Sequence, residues 1–448
     1  MGILFGTDGI RGVANETLDC RLAYRVGQST AIQLAKRKGG QPLVILGKDT
    51  RLSSDMLEAA LSAGLCAGGC NVVQLGVVPT PAVAYLTVCC HADAGGMISA
   101  SHNPYSDNGI KMFSAEGFKL SDDLEHDIEQ QILVKGAIPV KAGSELGRIY
   151  NGDYVVEEYI KHLQNTVAED LTDLRVVVDC ANGSASKTAR RLLSRFNLEV
   201  TYMNDQPNGV NINDRCGSTH LEALQERVLA GCYDLGIAFD GDADRCLIVD
   251  EKGRCVDGDR MMALFASERK EAGRLPGDGF VATVMSNLGL HKYAETHGLR
   301  LLCSAVGDRN VLELMQEKGM VLGGEQSGHI IFLEHMTTGD GQLAALQFLQ
   351  IVCRALMPVS QLSDAVPQYP QVLLGIRVPE EKKAAILASP AVREAVSQAE
   401  AQLGGDGRVL VRASGTEPLI RVMVEAGTQE LAKNAAELVA ASVENTQK

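Results

Sequence analysis

Hydrophobic positions in this chain fall into short unbroken runs, separated by stretches in which they recur every three or four residues. Runs of that length bounded by Gly, Pro, Asn or Asp are the mark of strands buried on both faces. The wider spacing is that of amphipathic helices. In the first stretch, 43–46, 72–75 and 97–100 predict strands, with helices over 22–36 and 56–65. A second unit from Asp153 predicts strands at 176–178, 200–203 and 235–239 and helices at 186–196 and 221–230. A third from Asp257 predicts strands at 280–284 and 330–333 and helices at 260–271 and 310–317. After Pro367, Tyr369 and Pro370, strands at 372–378, 409–412 and 420–425 precede a terminal helix at 432–443. Strands alternating with helices are the α/β pattern. The expectation is three α/β units, 1–152, 153–256 and 257–367, and a smaller α+β unit, 368–448. Identity between the first three is not visible along the sequence, so their kinship rests on pattern alone.

Composition narrows what such a chain does. Its 448 residues exceed one core and fit three or four domains at roughly 100–200 residues each. With 9 Phe, 10 Tyr and no Trp, stacking cannot be its main means of recognition, and the net charge of −14 repels phosphate backbones and anionic lipid. Nucleic acid and membrane are therefore not expected partners; a small phosphorylated metabolite is, since a few local cations suffice. The 12 cysteines are scattered with no C-x-x-C pair, which predicts reduced, mostly buried thiols in a cytoplasmic protein. The N-terminus lacks the basic and apolar regions of a signal peptide. The charge-free stretch between Glu58 and Asp93 is broken by Gly68, Gly69, Asn71, Gln74, Pro79 and Pro81, so buried helix–strand–helix accounts for it better than a membrane span.

Four loops carry candidate chemistry. ISASHNP (98–104) follows a predicted strand, where Ser101 is placed as a nucleophile and Asn103-Pro104 enforces a turn. Lys111 follows beyond an expected Asn108-Gly109 turn. Alone, such a string reads as an ordinary Ser/Asn turn. FDGDADR (239–245) places Asp240, Asp242 and Asp244 at alternate positions, so that in extended backbone three hard carboxylates can converge on Mg²⁺. An EF-hand would put Glu251 at its twelfth position, but Arg245 stands where that loop needs Gly, and the flanks at 235–239 and 246–249 read as strands. A solvated acidic turn is the bland alternative.

GGEQSGH (323–329) offers Glu325 and Ser327 to sugar hydroxyls or an amine, and His329 as a group able to move protons near neutral pH. A structural histidine in a glycine turn is the alternative. RASGTEPLIR (412–421) collects Arg412, Ser414, Gly415, Thr416 and Arg421 into an anion cradle, against the plainer reading of a hairpin with surface arginines.

Taken in this order over the whole chain, the four loops resemble the phosphoserine, metal, sugar and phosphate loops of the α-D-phosphohexomutase superfamily. FGTDGIRG (5–12) and GKDTR (47–51) are similar to further motifs of that family. NIN (211–213), CGSTH (216–220) and the EQS form of the sugar loop resemble its bacterial branch acting on glucosamine phosphate. The resemblance implies three related mixed α/β domains and a smaller C-terminal domain around a central cleft.

It also implies a reaction in which phosphorylated Ser101 gives its group to O1 of glucosamine 6-phosphate. The bound 1,6-bisphosphate turns over, its 6-phosphoryl group returns to Ser101, and glucosamine 1-phosphate leaves for UDP-N-acetylglucosamine and cell-wall precursor synthesis. One Mg²⁺ per site on Ser101, Asp240, Asp242 and Asp244 is implied, with Arg245 adding charge. Lys111 and His329 are the candidates for proton transfer. Glu325 and Ser327 would read the sugar, and Arg412, Ser414, Gly415, Thr416 and Arg421 the non-reacting phosphate. A homodimer is compatible with all of this. The rivals are a mutase for mannose or glucose phosphates, a sugar-phosphate-binding regulator without catalysis, and a phosphatase. Retention of Ser101 together with three aspartates argues against the regulator.

Overall fold

The apolar runs become the central strands of four sheets, in a computed structural model that describes residues 4–6, 8–38, 40–133, 138–168, 170–414 and 418–447. The first sheet takes β1 (Ile10–Val13), β2 (Leu43–Lys48), β3 (Asn71–Val77), β4 (Ala94–Ile98), β5 (Asp107–Ser114) and β6 (Ile149–Asn151), in spatial order β1-β5-β4-β2-β3-β6. The second takes β7 (Thr172–Asp179), β8 (Asn197–Met203), β9 (Leu235–Phe239), β10 (Cys246–Asp250) and β11 (Cys255–Val256), in order β11-β10-β9-β7-β8. The third takes β12 (Gly279–Thr283), β13 (Arg300–Ser304), β14 (Leu322–Gly324) and β15 (Ile330–Phe332), in order β13-β12-β14-β15. β16 (Gln371–Arg377), β17 (Gly407–Ala413) and β18 (Leu419–Ala426) form the fourth, antiparallel throughout.

The kinship invisible in the residues is plain in the pairing. Each of the first three sheets has a core of four strands that, numbered along its own stretch of chain, lie in the order fourth, third, first, second. In each, the first strand pairs parallel with the second and third, and the third pairs antiparallel with the fourth. A parallel pair needs a long crossover, here helical, whereas an antiparallel pair closes with a short hairpin. So one hairpin stands at the end of each third strand, beside the point where the order reverses. In open α/β sheets that is where ligands bind. β9 (LGIAF) and β10 (CLIVD) are buried along their whole length, which is why they read as unbroken apolar runs.

Two local expectations shift. The strand placed at 97–100 is β4, which ends at Ile98, because the Ser99 hydroxyl and the Ser101 amide turn inward to bond each other at 3.0 Å. The Asn108-Gly109 turn does not form. Both residues lie inside β5, opposite Gly12 and Arg11 of β1, and the Asn108 amide donates to Ser53 Oγ and Ser54 Oγ. A four-residue partner strand was too short to be read from the sequence. The thiols are all free, but they are not mostly buried: Cys70, Cys180, Cys216 and Cys246 are, whereas Cys89 and Cys232 are exposed and six others half-buried. No helix among the described residues is long and apolar enough to cross a membrane.

Contacts divide the chain into two compact units. The first is Met1–Val284 with Arg300–Asp364 and holds the three mixed sheets. The second joins Met285–Leu299 to Ala365–Lys448. Its sheet packs on helices Pro390–Leu403 and Gln429–Gln447 around Val422, Val424, Ala436 and Val439. The inserted segment is tied in by Glu425, fully buried, which accepts from the Asn287 side chain at 3.0 Å and the Leu288 amide at 3.0 Å.

Candidate active site

The hairpin between β4 and β5 carries Ser101, buried, with φ +50°. A serine held in the left-handed region costs of order 1–3 kcal/mol, so its surroundings must impose it. They do so through Arg51, from the loop after β2. Its guanidinium donates to the carbonyls of Ser101 (2.8 Å), Asn103 (2.9 Å), Asp107 (3.0 Å) and Pro104. Its Nε pairs with Asp49 at 2.7 Å, which also accepts from Ser99 Oγ. The Asn213 amide donates to the same Ser101 and Asn103 carbonyls at 2.9 and 3.1 Å. The hydroxyl left free by this clamp points at the second sheet: Ser101 Oγ donates to Asp240 Oδ2 at 2.6 Å.

The hairpin between β9 and β10 supplies the acids. Asp240, Asp242 and Asp244 are all buried, with one oxygen of each within 4.8 Å of the others. Gly241 is dictated by the approach of the serine loop, since a Cβ there would lie 2.6 Å from the Ser101 carbonyl oxygen. Asp242 Oδ2 accepts from Lys111 Nζ (2.9 Å) and Thr80 Oγ1 (2.6 Å). Asp242 Oδ1 and Asp244 Oδ1 are buried without a hydrogen-bond partner. Burial and the neighbouring charges of Asp244 and Asp242 push the Asp240 carboxyl well above the usual carboxylate range. Orphaned hard oxygens and mutual repulsion are what a divalent cation such as Mg²⁺ would relieve, so the residues fit one.

Basic groups surround the acids. Burial opposes charge on Lys111, but Asp242, Asp8 and Asp244 outweigh it and hold its ammonium above the ordinary lysine range. Burial and the Arg245 guanidinium hold His102 down at about 4, so it is neutral and its Nδ1 accepts from Arg245 at 3.0 Å. Lys119 pairs with Asp8 and Asp308, each at 2.7 Å, and so links the acids to the start of the helix that follows β13.

The hairpin between β14 and β15 brings Glu325, Ser327 and His329. Glu325 Oε1 accepts from the Gly307 amide at 3.0 Å, and Ser327 is exposed. His329 is buried, with Nδ1 3.6 Å from Asp244. Burial works against its charge, while Asp244, Asp308 and Glu325 carry it up to about 9. Yet the Gly339 amide donates to Nε2 at 3.1 Å, which requires that nitrogen bare. The backbone bond decides the matter: a neutral ring with its proton on Nδ1, toward Asp244, satisfies both neighbours.

Ser101, the three aspartates, Lys111, Arg245 and His329 are thus brought into one network, with Glu325 at its edge. The residues expected to form an anion cradle belong to the second unit. Arg412 and Arg421 face each other directly across the β17–β18 pair, and Ser414 lies at the end of β17 with its carbonyl accepting from Lys383 at 2.9 Å. Gly415 and Thr416 lie outside the described residues. Thr80, Lys119, Asp308 and Lys383 were not foreseen as site residues. Asp8, Arg51, His102 and Asn213 entered only as parts of motifs. A buried ionic chain closed by residues far apart in sequence leaves no local pattern to read.

Four family models match in chain order. Those described as phosphoglucomutase/phosphomannomutase alpha/beta/alpha domains I, II and III match residues 2–136, 157–253 and 257–369, and that of the C-terminal domain matches 373–442. The chain is 52% identical over 435 residues to the phosphoglucosamine mutase of Moorella thermoacetica, covering 97% of each chain. It is 50% identical over 432 residues to that of Desulforudis audaxviator, covering 96% of this chain and 95% of the relative. Its fold matches the phosphoglucomutase/phosphomannomutase family protein of Burkholderia thailandensis with TM-score 0.82 at 24% identity, over 99% and 97% of the two chains. It also matches Aspergillus fumigatus N-acetylphosphoglucosamine mutase, solved with GlcNAc-6P and magnesium, with TM-score 0.71 at 19% identity, over 100% and 96%. Three like sheets that each end in a chemical hairpin, and four family models in the same order, carry one conclusion: this chain belongs to the phosphoglucomutase/phosphomannomutase family.

Proposed function

We propose that the chain is a cytoplasmic mutase interconverting glucosamine 6-phosphate and glucosamine 1-phosphate. The observation that carries the chemistry is the Ser101 hydroxyl donating to Asp240 at 2.6 Å inside a cluster of three buried carboxylates. The amino-sugar substrate rests on relatives at about half identity over nearly the full length.

Phosphoryl transfer asks for in-line positioning and charge neutralisation. With Ser101 phosphorylated, the P–Oγ bond breaks as a bond from phosphorus to O1 of the 6-phosphate forms; O1 loses its proton and Oγ gains one. The resulting 1,6-bisphosphate turns, and its 6-phosphoryl group passes back to Ser101; Oγ loses its proton and O6 gains one. Asp240, Asp242 and Asp244, with a phosphate oxygen on Ser101, would hold Mg²⁺, which supplies positive charge to the transferring group. Arg51 and Asn213 fix the loop so that Oγ alone is free to react. Lys111, an ammonium between Asp242 and Asp8 and held above the ordinary lysine range, keeps its proton and serves as electrostatic stabiliser at the bridging oxygen. His329 holds Asp244. Glu325 and Ser327 take the sugar hydroxyls. Arg412, Ser414, Gly415, Thr416 and Arg421 take the phosphate that is not reacting, a planar bidentate task suited to arginine.

Initial rates on glucosamine 6-phosphate against glucose and mannose 6-phosphates, with Mg²⁺ and trace sugar bisphosphate, test the substrate. Preference for the amino sugar is expected, and equal rates on the neutral sugars would overturn the substrate assignment. Ser101→Ala is expected to abolish turnover with an unchanged circular dichroism spectrum; retained turnover would remove Ser101 as the phosphoryl carrier.

A further inference from the structure

Helix α1 (Cys20–Lys38), α2 (Ser54–Ala67) and α3 (Thr80–Cys89) cover the first sheet. α3 begins in an unusual way, with Thr80 between two prolines and buried at 3% exposure. A buried helix start must satisfy its leading N–H groups, and Pro81 has none to satisfy. The Ala82 amide bonds back to the Pro79 carbonyl at 3.1 Å. The Thr80 amide donates to the main-chain carbonyl of Asp242 at 3.0 Å, and the Thr80 hydroxyl donates to the same residue's Oδ2 at 2.6 Å. Asp242 is therefore gripped at backbone and side chain by one residue, 162 positions away, from another sheet's helix.

We infer that Thr80 is a positioning residue for the cation site, orienting Asp242 so that Oδ2 is spent on Thr80 and Lys111 and Oδ1 is left for the metal. Three observations support it. The hydroxyl has a single proton, and it goes to Oδ2. Oδ1 is buried and unpartnered, as a ligand oxygen awaiting a cation would be. Lys111 also reaches Oδ2, but its ammonium sits on a flexible stem and is shared with Asp8 at 3.1 Å, so it cannot fix the carboxylate plane alone. The α3 N-terminus adds its positive end beside the carboxylate. Partners of this kind set the orientation of metal-ligating side chains, and losing one typically costs about 10–100-fold in affinity.

The inference rests on the reading of Asp240, Asp242 and Asp244 as a cation site, and the test separates the two. Metal-stripped full-length protein is titrated with Mn²⁺ and free Mn²⁺ is read by electron paramagnetic resonance, for wild type, Thr80→Val, Thr80→Ser and Asp242→Asn. Thr80→Val keeps shape and amide but loses the hydroxyl, and its Kd is expected to rise by about 10–100-fold. Thr80→Ser keeps the hydroxyl and is expected to bind within about threefold of wild type. In turnover, Thr80→Val should need more Mg²⁺ yet regain most of its kcat at saturation. Thr80→Ala serves in the same titration if the valine variant does not fold. A Kd unchanged in the hydroxyl-less variants, or a serine variant as weak as the valine one, overturns the role of Thr80 alone. Wild type that binds no Mn²⁺, or Asp242→Asn that binds as wild type does, overturns the cation site beneath it.

Discussion

Ser101 and Arg51 show how much of a candidate reactive centre is scaffold: every guanidinium bond of Arg51 goes to Asp49 or to a carbonyl of the serine loop. The serine's left-handed backbone persists because one guanidinium collects four carbonyls of its loop, and that guanidinium is neutralised by a buried aspartate. Removing it strands Asp49 and four carbonyls together. Arg51→Ala is therefore expected to cost about 3–5 kcal/mol, the figure for breaking a buried pair by deleting one partner. The urea midpoint of the variant checks it; a midpoint near that of the wild type would mean the loop holds itself. The sequence pointed to Ser101 and the three aspartates, because the candidate nucleophile and the candidate ligands sit in short strings with characteristic spacing. It showed Arg51 only as part of a familiar string and gave Thr80 no role, because a clamp is recognised by what it reaches. The Asn108-Gly109 turn failed for the same reason: a strong local signal lost to pairing with β1.

At the scale of elements, all four loops occupy one structural position, the hairpin joining two antiparallel neighbours: β4–β5, β9–β10, β14–β15 and β17–β18. Helices and strands with regular spacing were legible. The repeated strand order was not, since it resides in hydrogen-bond pairing and depends on strands as short as the three residues of β14 and β15. In the last hairpin, two like charges stand directly opposite, an arrangement that costs roughly 0.2–1 kcal/mol unless an anion bridges them. Burial and the Arg421 charge both press the Arg412 guanidinium below its usual range. Arg412→Gln is accordingly expected to leave the free protein as stable as before or slightly more so, while raising KM for sugar phosphate at least about tenfold, the loss of one charged hydrogen-bond pair. Melting curves and steady-state kinetics read the two halves separately; an unmoved KM would take Arg412 out of the phosphate site.

At the largest scale, buried ionic contacts join positions far apart along the chain, as one does across 65 residues of the third α/β unit. Arg269, 1% exposed, pairs with Glu334 at 2.7 Å and lies over the Phe332 ring. The His335 contact, opposed by burial and reinforced by Arg269, holds the Glu334 carboxyl down at about 2. A depressed carboxylate stabilises the fold above its unfolded value, near 4.3, and that contribution is lost as pH falls from there toward 2. Glu334→Gln is expected to lower stability at pH 6 and to lie much closer to wild type at pH 2.5. Denaturant midpoints at the two values check it, and a constant gap would show that the glutamate's charge is not what matters.

The second compact unit takes in fifteen residues, 285–299, from the middle of the third family domain before resuming at Ala365. The polypeptide therefore crosses between the two units three times. For anyone dividing the gene, a cut in the proline-rich stretch near 367 separates the second unit from part of itself. The excised piece keeps Arg408 and Gln371 on the buried Glu425 but loses two of its donors, the Asn287 amide and the Leu288 N–H. A fragment of 365–448 is expected to melt without cooperativity, and the same fragment carrying 285–299 through a short linker to recover a sharp transition. Equal melts for the two would make the borrowed segment an ornament; unequal ones would place a boundary of inheritance and a boundary of folding at different residues of the same chain.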